Sequence, residues 1–131
     1  PQIYQGVDHE FEIELRDENG IPIDLDTLSG IYIQLYNEKF KYNSYIWPDT
    51  SGYGTINILQ HIETPDLVDV GIISFRLTAA DTSVMMSGNL FAEIKIKEID
   101  TSFDSGYKLK TISCLKIGEI KHSINRDLLD F

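Results

Sequence analysis

Between Glu10 and Arg16 every second residue is apolar: Phe11, Ile13 and Leu15 alternate with Glu10, Glu12, Glu14 and Arg16. A period of two puts the apolar side chains on one face of an extended chain and the charges on the other. That is a half-buried β-strand; an amphipathic helix needs a period near 3.6. The pattern recurs. Residues 30–38 set Ile31, Ile33 and Leu35 against Tyr32, Gln34 and Tyr36, residues 54–61 carry Ile56 and Ile58, and residues 71–78 carry Ile73, Phe75 and Leu77. Residues 89–99 set Leu90, Ala92, Ile94 and Ile96 against Phe91, Glu93, Lys95 and Lys97. Residues 107–117 form the last expected strand, with an interrupted middle that a bulge or burial on both faces accounts for. The residue choice agrees, with 19 Ile against 3 Ala, because branched side chains suit a pleated surface and Ala suits a helix.

Turn signals separate these runs: Asp17-Glu18-Asn19-Gly20, Ser51-Gly52-Tyr53-Gly54, Ser87-Gly88-Asn89 and Asp104-Ser105-Gly106. Six or seven short strands joined by such turns describe an all-β sandwich or barrel with antiparallel pairing. The one helical signal before the C-terminus is a single turn within residues 78–86, which Thr78 or Asp81 would cap. Two segments break the regularity. Residues 37–55 read as a long aromatic loop carrying Phe40, Tyr42, Tyr45, Trp47 and Tyr53. Beyond Gly118, Ile124, Leu128 and Leu129 share a helical face, with Phe131 at the end. The expected organisation is one domain over residues 1–118 and an extension over 119–131, a short helix or docking arm. Those nine side chains are the candidate protein-interaction residues, since aromatic and apolar groups make most of the contact at interfaces.

Charge and chemistry narrow the function. The formal net charge is −10 over 131 residues, which repels phosphate backbones and argues against nucleic-acid binding. No apolar run is long enough to span a membrane, and residues 1–6 do not resemble a signal peptide. A single cysteine, Cys114, excludes an internal disulfide, and its place in a strand points to a buried, inert thiol. His9, His61 and His122 stand on different elements without metal-pair spacing. The Asp24/Asp26 and Asp8/Glu10 pairs lack the glycine of a calcium loop and read as solvated charge. Serine elbows and phosphate loops are missing. Pro1 occupies the position of the tautomerase general base, but the long helices of that superfamily are not here. No enzyme, cofactor or metal is expected.

The stretch from Gly6 through Asp17-Glu18-Asn19-Gly20-Ile21-Pro22-Ile23-Asp24-Leu25 resembles the opening of small immunoglobulin-like modules in tailed-phage virion proteins. The type example is the N-terminal domain of baseplate upper proteins. A second block, Leu77-Thr78-Ala79-Ala80-Asp81-Thr82 followed by Gly88-Asn89-Leu90-Phe91-Ala92-Glu93-Ile94, resembles the one-turn helix and long strand of the same modules. The likeness spans about residues 3–117 and leaves out the aromatic segment and the C-terminal extension. It implies an antiparallel immunoglobulin-like β-sandwich of about seven strands. It also implies a non-enzymatic virion role: capsid accessory or decoration, head-fibre anchor, or tail or baseplate subunit. The partners would be other virion proteins and further copies of this chain, assembled in the host bacterial cytoplasm. The competing expectation is a carbohydrate-binding sandwich that stacks sugars on the aromatic loop 40–53.

Overall fold

The computed structural model describes residues 1–61 and 70–122. In chain order the strands are β1 (Gln2–Tyr4), β2 (His9–Leu15), β3 (Leu28–Tyr36), β4 (Lys41–Trp47), β5 (Gly54–Thr55), β6 (Asn57–Gln60), β7 (Gly71–Leu77), β8 (Gly88–Ile99) and β9 (Tyr107–Lys121). A 3-10 turn at Leu25–Thr27 precedes β3, and a helix of five residues, α1 (Ala79–Ser83), joins β7 to β8. No helix among the described residues is long and apolar enough to cross a membrane.

The protein is all-β. One sheet runs β1-β9-β8-β3-β4-β5 and the other β2-β7-β6. The alternating residues do what their period dictates. Phe11 and Leu15 from β2, Ile73, Phe75 and Leu77 from β7, Ile31, Ile33 and Leu35 from β3, and Leu90, Ile94 and Ile96 from β8 form one buried cluster. Phe75, fully buried, stacks on Phe11 at 5.2 Å between ring centroids. Burying a side chain of that size contributes about 2–3 kcal/mol.

The turns follow their residues. Asp17 accepts the Asn19 and Ile21 amides at 2.8 and 2.9 Å, and Gly20 takes the positive φ of 77° that closes the reversal. Asp24 caps the 3-10 turn by accepting the Asp26 amide at 2.9 Å. Helix α1 opens with a full capping box, in which Thr78 accepts the Asp81 amide and Asp81 accepts the Thr78 amide. The Asp81 carboxyl lies below its usual range. Burial pushes it up, but its hydrogen bonds from Thr78 and Asn43 hold it down.

Four features differ from the sequence expectation. The described strands number nine rather than about seven, and two pairings, β1 with β9 and β4 with β5, are parallel rather than antiparallel. Residues 37–55 are not one loop: β4 occupies their centre and pairs along β3. The last strand does not stop at Ile117 but continues to Lys121, with Ile120 in the core and Glu119–Lys121 beside β1. Cys114 is exposed rather than buried. The physical reason lies in two register shifts between β8 and β9, at Leu90/Phe91 and Ile94/Lys95. Each leaves an extra β9 residue, Ile117 and Ile112, turned into the core. The second shift puts Cys114 opposite Glu93 on the outer face.

Candidate binding surface

The aromatic residues singled out from residues 37–55 are dispersed by β4. Tyr45 faces inward opposite Ile33 and is 3% exposed. A side chain that deep cannot meet a partner, so Tyr45 is a core residue and not an interaction residue. Its ring tilts against Phe75 at 4.8 Å, and its hydroxyl donates 2.7 Å to the Arg76 carbonyl of the opposite sheet. Burial pushes its phenol up to about 12, ahead of an opposing hydrogen bond from Asn43. Tyr42 and Trp47 are half-buried against the same core. The Tyr42 hydroxyl accepts Asn37 Nδ2 at 2.8 Å and the Met86 amide at 3.0 Å, tying the β3–β4 turn to the end of α1. Phe40 and Tyr53 remain exposed, at 47% and 50%. Ile124, Leu128, Leu129 and Phe131 lie outside the described residues.

Phe40 is the candidate that the structure places at recesses. The turn at residues 37–40 stands between two open grooves. One, of about 310 Å³, lies between this turn and residues 86–89. The other, of about 460 Å³, runs onto the outer face of the large sheet, over Tyr32, Gln34, Tyr36, Glu93 and Lys95. That outer face was legible in the alternation of β3 and β8, yet its residues were read only as the solvent side of strands. The register brings them together: Tyr32 opposite Lys95, Gln34 opposite Glu93, and Tyr36 opposite Phe91.

Hydrogen bonds fix much of this face. The Tyr32 hydroxyl donates 3.1 Å to Gln34 Oε1, and Gln34 Nε2 donates to the Leu35 and Tyr42 carbonyls at 2.9 Å each. Tyr36 and Phe91 stack at 5.7 Å, and the Tyr36 hydroxyl contacts the Cys114 sulfur. That contact, ahead of partial burial and the Cys114 and Glu93 charges, pushes the Tyr36 phenol up to about 12. Glu93 and Lys95 neutralise one another at 3.2 Å. The result is a pre-set aromatic and polar platform suited to contact.

Other titratable groups sit elsewhere. His61, placed alone by its sequence position, lies 3.2 Å from Asp26, with Asp24 beside them, the three donor atoms within 4.8 Å of one another. This trio joins the 3-10 turn to the end of β6 and is largely exposed. His122 Nδ1 is 3.0 Å from Gln5 Oε1, while Gln5 Nε2 donates 2.7 Å to the Met85 carbonyl. At the same end of β9, Lys116 and then Lys121 hold the Glu119 carboxyl down to about 2.

A third groove, of about 330 Å³, opens between β2 and β9. Glu12, Ile13, Leu15, Ile112, Ser113 and Leu115 are among its walls. No protein-family model, curated protein or solved structure matches this chain.

Proposed function

We propose that this chain is an immunoglobulin-like module that works by protein–protein contact as a structural component of a bacteriophage virion. The candidate places are a capsid accessory or decoration, a head-fibre anchor, or a tail or baseplate subunit. One observation carries the immunoglobulin-like reading, and it is the strand order. In a variable-type immunoglobulin sandwich one sheet contains B-E-D and the other G-F-C extended by C′ and C″. Here β2-β7-β6 follows the first order and β9-β8-β3-β4-β5 the second. Setting aside the short β1 and β5 leaves seven strands.

The virion part rests on the sequence resemblance of residues 6–25 and 77–94. What supports it is local: a strand, an acidic turn closed by Gly20, a Pro22 step, and a capped one-turn helix leading into a 12-residue strand. Each is an element that the resemblance implies at that position. The glycan-platform alternative over residues 40–53 is weakened by the loss of Tyr45 to the core.

Light scattering tests the assembly role, on the full chain and on residues 1–122. The shorter chain keeps all of β9, whereas a chain ending at Gly118 would cut through the sheet. A defined oligomer of the full chain that dissociates on truncation supports an assembly arm in residues 123–131. Compact monomers from both chains overturn the assembly reading.

A further inference from the structure

The groove between β2 and β9 is bounded by two strand edges whose ladders stop short. Among the described residues, β2 is bonded to β7 along its length and stands at the edge of its sheet. β9 is bonded to β8, and on its other side to β1 over Glu119–Lys121 alone. Backbone N–H and C=O groups alternate in direction along a strand, so pairing with β7 on one side leaves β2 with a row of unpaired groups on the other.

The floor beside this edge is apolar. Ile112 is buried, while Ile13 and Leu115 are half-buried against the core. Among the described residues, one sheet has three strands and the other six. A free ladder edge over an apolar floor is the receiving half of strand addition, in which the main chain supplies affinity and alternate side chains supply selectivity.

We infer that this groove accepts an extended strand from a partner protein, about the length of the seven-residue β2, in which apolar residues alternate with basic ones. The apolar residues cover Ile13, Ile112 and Leu115. The others become cross-strand neighbours of Glu12 and Glu14, whose side chains stand on the outward face of β2. Arg16 lies 3.4 Å from Glu14 and Arg76 lies 3.2 Å from Glu10, which leaves Glu12 without an ion pair among the described residues. Opposite charges at facing positions favour pairing, and like charges oppose it. The inference rests on edges and groove chemistry, and it stands apart from the virion reading.

The test uses the isotope-labelled full chain and two synthetic peptides, one alternating isoleucine with lysine and the other isoleucine with glutamate. The lysine peptide is expected to slow amide exchange along β2 while leaving β6, another sheet edge, unchanged. It should bind about tenfold more tightly than the glutamate peptide. The exposed double substitution Glu12→Lys with Glu14→Lys should invert that preference. Absence of added protection along β2 with both peptides overturns the proposal, as does protection at β6 instead. A preference unchanged by the double substitution overturns the basic partner. Protection of these amides in a peptide-free dimer assigns the groove to a second copy and likewise overturns it.

Discussion

The two flanks of the molecule are closed by different means. On the β4 side, Tyr45 leaves the large sheet, packs on Phe75 and hydrogen-bonds the Arg76 carbonyl across the core. On the β2–β9 side the walls hold no aromatic side chain, and a groove of about 330 Å³ remains between aliphatic residues such as Ile13 and Leu115. Stacked sheets lie about 10 Å apart, a gap that a tyrosine spans and whose far side its hydroxyl can satisfy. Ile13 and Leu115 have neither the reach nor a polar tip. The difference teaches that closure here is local: one side chain ties one flank and leaves the other available.

The largest effect should come from removing the tie. Tyr45→Ala deletes a buried ring and its cross-sheet hydrogen bond, and is expected to cost about 3–5 kcal/mol in urea unfolding. A cost near 1 kcal/mol would mean that the β4 flank is no better packed than the other.

Next in size is an alkaline limb. Burial raises the folded-state phenol of Tyr45 to about 12, above its ordinary value of 10. Below pH 10 the group is neutral in both states and its contribution is fully present. From pH 10 to 12 the unfolded chain ionises first, so stability falls, by about 2–3 kcal/mol at most. Tyr45→Phe should flatten that part of the curve at a neutral-pH cost of about 1 kcal/mol. The difference between the two proteins isolates Tyr45 from Tyr36, whose exposed phenol titrates in both. An identical alkaline loss in the variant would show that Tyr45 is not held neutral by burial.

Glycines sharpen the contrast. A Cβ on Gly54 would lie 2.6 Å from Tyr45 Cε1, against a ring that is itself wedged in the core. Gly54→Ala is expected to cost about 1–3 kcal/mol. At Gly118 the Cβ would meet Ile3 Cδ1 at 2.7 Å and the Pro1 carbonyl at 2.8 Å. β1 has only three residues and can shift outward, so Gly118→Ala should cost less, about 1 kcal/mol, with faster amide exchange at Ile3. Equal costs would make the two glycines equivalent and remove the distinction in rigidity.

How far the sequence reached follows the same physics. Where one face was uniformly apolar, as at Phe11, Ile13 and Leu15 or Ile31, Ile33 and Leu35, the strand and its inward face were both legible. The Thr78–Asp81 cap was legible because it is made within one turn. β4 was missed because its inward residue Tyr45 and its outward residues carry similar polarity, so no alternation shows. Cys114 was assigned to the wrong face because a bulge resets the period of two without any marker residue. The outer platform of Tyr32, Tyr36 and Phe91 depends on strand register, which alternation alone does not specify. The β2–β9 groove depends on which edges lie side by side, a property of the topology.

The smallest prediction is also the most direct comparison of inside with flank. Ile13 and Ile73 face one another in the β2–β7 ladder, one half-buried at the groove and the other fully enclosed. Removing one methyl from each by Ile→Val is the same chemistry in two settings. At Ile73 the loss should be about 1 kcal/mol, because neighbours cannot collapse onto the missing group. At Ile13 the lost methyl borders solvent, so about 0.5 kcal/mol or less is expected. Urea midpoints of the two variants measure the difference. Equal losses would place Ile13 in a closed core in solution, and the β2–β9 flank would then be sealed like its opposite.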